Sequence, residues 1–203
     1  GWQIQPKKRT IEGEIERVLS EIFNCEINIV GSGRTDAGVH ALGQVFHFDV
    51  DSLSLDLDRI RYSANKMLPK DIDLRSLEVV EDSFHSRYNA TEKLYRYSIC
   101  FMEKLPILSD VVYVCPQPTN IDLLMEALMK FKGQHNFQNL TSKEEDFDNF
   151  VREIYDIRFE VEEDDFSVLF TGNGFMRYQI RYMVGAALAV AWGKEDISYI
   201  DEL

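Results

Sequence analysis

Residues 31–40 read GSGRTDAGVH, a glycine-rich sequence that predicts a loop between two strands. Its three glycines surround Arg34 and Asp36, and glycine permits unusual backbone angles and the close approach of a partner. The stretch lies between two segments of strand character, and loops between strands often carry functional sites. Residue types alone also allow a tight turn in which the Asp36 carboxylate binds backbone amides. A phosphate-binding loop is less well supported, because the stretch lacks the Lys-Ser/Thr ending of a P-loop and the GxGxxG spacing of a dinucleotide fold.

On both sides of this loop, the spacing of apolar residues predicts an alternation of helices and strands. Helices are predicted over 11–23 after a cap at Thr10, over 57–68, from a cap at Asn120 to near Gly133, and over 175–192. Strands are predicted over 26–30, 44–50, 76–81, 92–101, 152–162 and 166–171, the last two forming a hairpin. Because strands outnumber helices and several are joined by short turns, the sequence predicts an α+β fold with a mainly antiparallel sheet and helices packed on one side.

The chain has 203 residues, of which 45% are hydrophobic, so it can bury one substantial core or two smaller ones. We expect two lobes around a central cleft, 1–105 with the Asp36 loop and 106–203. Three widely spaced cysteines in no CxxC pair argue against a disulfide framework and a zinc site, and favour a reducing cytoplasm. The longest apolar stretch, 184–192, is far shorter than the roughly 20 residues of a membrane span.

The net charge of −13 is unusual for a protein that binds nucleic acid, because Lys and Arg supply most non-specific affinity for phosphates. The charge is unevenly distributed: residues 1–100 carry 13 basic and 16 acidic side chains, and residues 101–203 carry 9 and 19. Eleven of the acids lie between Glu144 and Asp165, where turns and a solvated strand edge explain them. The acidic excess therefore need not line a cleft.

The segment 33–41, GRTDAGVHA, followed by Gln44 and Val45, resembles the signature of the tRNA pseudouridine synthase A family. Four further segments resemble the same family in the same order: GWQ at 1–3, FHSRY with Ala90 and Thr91 at 84–91, KLYRY at 93–97, and GFM with IRYMVG at 174–185. The resemblance covers nearly the whole chain. It implies the pseudouridine synthase fold and the isomerisation of uridine to pseudouridine in the anticodon arm of tRNA, without an external cofactor.

By this resemblance, Asp36 is the nucleophile, adding to the sugar or the base or deprotonating the ribose; the sequence leaves these routes open. Arg181 matches the helix arginine of the family, and its neighbours Ile180, Met183 and Val184 predict an apolar setting in which it pairs with Asp36. Tyr95 matches the active-site tyrosine, whose ring would stack on the extruded uracil. On pattern alone, Tyr95 is a packed sheet residue, which shares one face of its strand with Tyr97 and Ile99.

A stacked base must be pulled out before it can react, and Arg34, two residues before Asp36, is placed to fill the vacated space or grip a phosphate. Arg87 and His85 are expected to contact the RNA backbone or support the loop. The predicted substrate-binding residues are Arg34, Thr35, His40, Arg87 and Arg96. His40, His47 and Asp49 lack a recognised metal-ligand spacing, so structural histidines are predicted and no metal site.

The partners implied by the resemblance are tRNA and a second copy of the chain in a homodimer, with neither a membrane nor a small-molecule cofactor. Members of the family usually begin with a strand before Gly-Trp-Gln, so the first strand is expected to be missing from this sequence. An alternative function is a catalytically silent RNA-binding or RNA-folding protein on the same scaffold. Asp36, Tyr95 and Arg181, all at matching positions, argue against it.

Overall fold

The computed structural model describes residues 1–51, 56–101, 106–115, 117–142 and 149–203. It divides into two compact units, Gly1–Ala90 and Thr91–Leu203. The division between the units lies just before the strand that begins at Lys93, whereas the expected boundary lies between residues 105 and 106. Residue 105 lies outside the described residues. So do four acids of the acidic stretch, at 144, 145, 146 and 148. In the described part of the chain, no helix has both the length and the apolar character needed to span a bilayer.

In the first unit, the helix predicted over 11–23 is confirmed as α1 (Ile11–Phe23). The side chain of Thr10 accepts a hydrogen bond from the amide of Gly13 (3.3 Å), which satisfies one of the unpaired donors at the helix start. The helix ends at Asn24, in the left-handed conformation with φ of 51°. Its buried face packs into the first unit's core, with Ile15, Val18 and Leu19.

The second predicted helix is confirmed as α2 (Leu57–Met67), which begins at an Asp56 cap and contacts α1. Its Asn65 side chain donates to the carbonyl of Leu74 (3.0 Å) and accepts from the Leu74 amide (2.7 Å). The strand predicted over 76–81 is wrong, since no strand is assigned there. Its apolar residues Val79 and Val80 are exposed, so alternation in this segment does not reflect a buried face.

The strands predicted over 26–30 and 44–50 are reduced to β1 (Val30–Gly31) and β2 (Phe46–His47), an antiparallel pair. The first strand is short because its amides bind side chains of α1 instead of another strand. The amide of Ile27 donates to Ser20 Oγ (2.9 Å), and the amide of Ile29 donates to a carboxylate oxygen of Glu16 (2.9 Å). Hence the segment lies against the helix, and only its last residue enters the ladder.

The second unit contains a five-stranded sheet in the order β4-β3-β7-β6-β5. All neighbouring strands are antiparallel except β3 and β4, which confirms the α+β class with a mainly antiparallel sheet. The strands β4 and β5 were not predicted, because β4 has only two residues and β5 is the polar sequence GQHN. The bounds are β3 (Lys93–Cys100), β4 (Tyr113–Val114), β5 (Gly133–Asn136), β6 (Val151–Glu162) and β7 (Asp165–Gly172).

A bulge in β6 explains a burial pattern that strict alternation does not give. The register shifts between Ile154 and Asp156, which leaves Tyr155 as the extra residue. Ile154 and Ile157 are therefore both buried although they are three positions apart. Gly172, opposite Ile154, allows the close approach, because a Cβ there would lie 2.6 Å from the Glu153 carbonyl oxygen.

Two helices, α3 (Ile121–Met129) and α4 (Gln179–Ala191), pack against each other and share one hydrophobic core with the sheet. The predicted cap at Asn120 is confirmed by its bond from the Leu123 amide (3.0 Å). The predicted start of α4 at residue 175 is wrong, because Tyr178 adopts a left-handed conformation with φ of 62°. The sheet residues of this core include Ile99, Phe166, Val168 and Phe170.

Candidate active site

The glycine-rich loop of the first unit leaves β1 at Gly31 and returns to β2 at Phe46. Trp2 is buried, and its ring lies directly against Gly31: a Cβ at this position would be 2.7 Å from the ring. The Trp2 amide also donates to the carbonyl of Thr35 (3.1 Å), inside the loop. Trp2 therefore supports the loop at two points, and only glycine at position 31 leaves room for its ring.

Asp36 begins a turn in which its carbonyl accepts a hydrogen bond from the Val39 amide (3.2 Å). Gly38, the third residue of this turn, has φ of 81°, as the third position of a type II turn requires. Asp36 itself is half-buried, whereas Arg34 and His40 on either side are exposed. The turn thus fixes the backbone at Asp36 and leaves the residue partly exposed.

Three further hydrogen bonds hold the second half of the loop. Two of them join it to the first half, and the third joins it to Arg75. Gln44 donates from its side-chain amide to the carbonyl of Gly33, and the Ser32 amide donates to the Val45 carbonyl (2.8 Å). Farther out, Arg75 donates from Nη1 to the carbonyl of Leu42 (2.6 Å). Because these bonds join residues distant in sequence, they restrict the conformations that the loop can adopt despite its glycines.

The turn around Arg87 is attached to the same pair of short strands. Ser86 is buried, and its hydroxyl donates to the carbonyl of Val30 (2.6 Å). Its amide donates to Nδ1 of His47 (3.2 Å), in agreement with the structural role predicted for that histidine. Arg87 is exposed. The first unit therefore brings the proposed site residues Arg34, Thr35, Asp36, His40 and Arg87 onto one small β-ribbon.

Tyr95 lies on β3 in the second unit, directly opposite Phe170 on the core-facing side of the sheet. Its ring meets that of Phe175 edge to face, with centroids 5.1 Å apart and an angle of 72°. Tyr97, two residues later, packs against the same core, which confirms the predicted alternation. Tyr95 is only partly buried, so its ring is packed and also reachable from solvent.

Arg181 lies in the first turn of α4, with its guanidinium 5.4 Å from the ring centroid of Tyr178. Arg177 approaches the same ring at 5.0 Å, so two guanidinium groups contact one aromatic ring. The apolar setting expected for Arg181 is wrong: Ile180 and Met183 are buried, but Arg181 is exposed. The reason is helical periodicity, which places residues 180, 183 and 184 on the core face and 181 beside it.

The pKa of the Tyr97 phenol on β3 depends in part on the charge of Arg181 at the start of α4. Burial raises the pKa of the Tyr97 phenol above its ordinary value of 10.0, the neighbouring Tyr113 phenol raises it further, and the positive charge of Arg181 lowers it. Arg181 therefore acts on the face of the sheet that carries Tyr95 and Tyr97. Tyr97 is two residues from Tyr95 on the same face of β3.

Arg96 points to the opposite side of β3 from Tyr95. Its guanidinium forms an ion pair with Glu160 and donates from Nε to Ser167 Oγ (3.2 Å). Both partners lie on neighbouring parts of the sheet, on the face away from the helices. Among the described residues, no group of three His, Cys, Asp or Glu side chains is placed to hold a metal ion.

Several supporting residues were not predicted as part of the site: Trp2, Gly31, Gln44 and Tyr178. Trp2 and Gln44 lie in segments that resemble the family, but their residue types alone do not predict that Trp2 packs on Gly31 or that Gln44 binds the Gly33 carbonyl. The glycine pattern of the loop was a usable signal for Gly31, because glycine often marks the close approach of another group. The left-handed conformation of Tyr178 has no signal in the sequence, since tyrosine rarely adopts it.

Comparisons with known proteins agree on one family. The family model described as "tRNA pseudouridine synthase" matches residues 2–89 and 127–203. The tRNA pseudouridine synthase A of Geobacillus sp. (strain WCH70) is 40% identical over 202 residues, which cover 98% of this chain and 81% of that protein. The tRNA pseudouridine synthase A of Lactococcus lactis subsp. cremoris (strain SK11) is 36% identical, and the match covers 100% of this chain and 81% of that protein. The tRNA pseudouridine synthase A of Dictyoglomus thermophilum is 37% identical, and the match covers 100% of this chain and 83% of that protein. The resemblance inferred from the glycine-rich loop is confirmed.

Proposed function

The chain belongs to the tRNA pseudouridine synthase family, and on this premise we propose that it isomerises uridine to pseudouridine in the anticodon arm of tRNA with Asp36 as the nucleophile. The observation that carries the proposal is the loop around Asp36, which lies within the span matched by the family model. Trp2, Gln44 and Arg75 hold this loop by bonds to its backbone. Asp36, partly exposed on such a supported loop, is suited to nucleophilic catalysis, because little reorganisation is needed to reach the reacting atom.

The reaction rearranges one nucleotide without a net gain or loss of atoms. The bond between N1 of uracil and C1′ of ribose breaks, the base turns while bound, and a bond forms between C5 and C1′. The proton on C5 is released, and N1 takes up a proton. Asp36 would act in its ionised form, and because the bond changes cancel, the proposed reaction requires no oxidant, reductant or cofactor.

We assign Tyr95 to stack on the turned uracil and Arg181 to pair with the Asp36 carboxylate. Phe175 supports the first assignment, because its edge contact fixes the Tyr95 ring while leaving that residue partly exposed. Tyr178 supports the second, because its ring holds the guanidinium of an otherwise exposed arginine. Arg181 lies within the span matched by the family model, and Tyr95 lies between the two matched spans.

We assign Arg34 to base flipping, which costs about a few kcal/mol for a stacked nucleotide. Arg34 is exposed and lies two residues before Asp36. Thr35, His40 and Arg87 of the first unit complete the proposed substrate-binding set, and Arg96, on the opposite face of β3 from Tyr95, is proposed as a separate contact with the RNA. If Arg34→Ala turns over a structured tRNA as fast as the wild type, the flipping role is wrong.

A cytoplasmic homodimer is part of the proposal. With a net charge of −13 per chain, binding of a long polyanion depends on where the basic groups lie and not on the total charge. A second copy would place the basic groups of two chains along one tRNA. Light scattering after size exclusion measures this directly: a dimer mass is expected, and a monomer that nevertheless binds tRNA would contradict it.

The test of the function is tritium release from tRNA labelled at uridine C5. We expect release from a complete tRNA, and no release when the uridines of the anticodon arm are replaced by cytidine. Release from the substituted tRNA would show that another position is modified. Binding without release from any labelled tRNA would instead favour the silent RNA-binding protein.

A further inference from the structure

A turn at residues 84–89 of the first unit presents a column of aromatic rings to solvent. The Tyr88 ring stacks on the His85 ring, with centroids 4.2 Å apart and an angle of 30°. The His85 ring in turn lies 4.7 Å from that of His47 on β2. Tyr88, at the outer end, is 78% exposed although its inner face is covered by His85. The column therefore ends in an accessible aromatic face.

The turn that carries this face is fixed by His85 and Asn89. The Arg87 and Tyr88 amides both donate to Nδ1 of His85, at 3.2 and 3.3 Å, so the proton of a neutral His85 ring resides on Nε2. The His85 amide donates to the side chain of Asn89, and the Asn89 amide donates to the His85 carbonyl (2.9 Å). Little conformational entropy remains to be lost when a ligand binds to Tyr88.

The same turn is anchored on the strands that carry the Asp36 loop. Buried Ser86 binds both the Val30 carbonyl and His47, which are paired residues of β1 and β2. The ring column and the Asp36 loop thus rest on one ribbon. A group stacked on Tyr88 would have a defined position relative to that loop.

We propose that Tyr88, backed by His85, is a stacking platform for an unpaired base of the RNA substrate, and that the adjacent exposed Arg87 binds a phosphate next to that base. This inference rests on the proposed function, which supplies RNA as the ligand. Tyrosine and histidine rings stack on bases that are splayed out of a helix, and every base offers a suitable face. The neighbouring guanidinium favours a nucleic acid over an uncharged protein surface as the occupant.

The experiment measures the affinity of the full chain for fluorescein-labelled tRNA, in an Asp36→Asn background so that turnover does not alter the ligand. Tyr88→Ala is expected to weaken binding roughly tenfold or more, and Tyr88→Trp is expected to retain it. Tyr62→Ala is the matched control, because Tyr62 is 63% exposed on α2 of the same unit. Its affinity should equal that of the background protein.

The dependence on salt separates stacking from charge. Tyr88→Ala should weaken binding by the same factor at every salt concentration, whereas Arg87→Ala should lower the slope of the logarithm of affinity against the logarithm of salt. Unchanged affinity in Tyr88→Ala would overturn the platform. A change of oligomeric mass in that variant would also overturn it, because a second copy would then be the occupant.

The outcomes also distinguish this proposal from the proposed function. Wild-type protein that releases tritium from tRNA, together with unaffected binding by Tyr88→Ala, would overturn the platform alone. Wild-type protein that neither binds nor modifies tRNA would overturn both. Because Tyr88 contacts solvent over most of its surface, its substitution is not expected to unfold the first unit.

Discussion

The two units position their proposed site residues by different means. In the second unit, Tyr95 lies in an eight-residue strand whose residues all pair with β7. In the first unit, β1 and β2 have two residues each, and the Asp36 loop is held by Trp2 and by single hydrogen bonds. A ladder distributes its support over many bonds, whereas the loop depends on a few contacts. Single substitutions should therefore disturb the site more in the first unit than in the second.

The largest effect on stability is expected for Gly31→Ala, which disrupts the packing of Trp2 against the loop. The added methyl would lie 2.7 Å from the Trp2 ring, so the ring or the strand must move. We expect the free energy of unfolding of the first unit to fall by about 1–3 kcal/mol, the typical effect of overpacking. Tritium release should fall with it. Urea denaturation followed by the fluorescence of Trp2 measures the stability.

The control is Gly43→Ala, in the same loop, where nothing lies within 4 Å of an added Cβ. Trp2 and Trp192 are the two tryptophans of the chain. Trp192→Phe, introduced in every protein compared, makes Trp2 the only tryptophan signal. Equal stability of the two alanine variants would contradict the account of the Trp2 support.

A smaller effect on the free energy of unfolding is expected for Tyr97 in the second unit. Because burial raises its pKa, the folded protein keeps this proton to a higher pH than the unfolded chain. Its contribution to stability is fully present below the ordinary value of 10.0 and is lost as the pH rises through the raised pKa. Tyr97→Phe should therefore reduce the loss of stability that occurs as the pH rises above 10.0 and through the raised pKa.

Urea denaturation at several pH values, followed by far-ultraviolet circular dichroism, measures this effect. Tyr155→Phe is the control, since it removes an exposed phenol from β6 of the same sheet. An identical alkaline loss of stability in the wild type and in Tyr97→Phe would show that Tyr97 does not contribute to it.

The sequence predicted the parts of the fold that depend on local regularity. The caps at Thr10 and Asn120 and the spacing of apolar residues located α1 and α3. Alternation located β3, and the hairpin pattern located β6 and β7. The errors arose where tertiary contacts override local pattern. Side chains of α1 bind the amides before β1, and the left-handed backbone of Tyr178 delays the start of α4.

In the candidate site, too, the sequence indicates residue identities but not the contacts made between elements. The resemblance proposed Asp36, Tyr95 and Arg181 as site residues from their residue types and their order in the chain. It did not predict that Arg181 is exposed and held against Tyr178, or that Arg96 is bound to Glu160 on the far face of its sheet. These placements depend on which residues meet across elements, and a single sequence specifies that only through the whole fold.

The most direct test of the central claim compares Asp36→Asn with the wild type in tritium release and in tRNA binding. The amide keeps the size of the carboxylate but is not a nucleophile, so release should fall by at least roughly 1000-fold while the dissociation constant stays the same. Asp49→Asn, at an exposed position just after β2, should release tritium at the wild-type rate. Release by Asp36→Asn at the wild-type rate would contradict the assignment of Asp36 as the nucleophile.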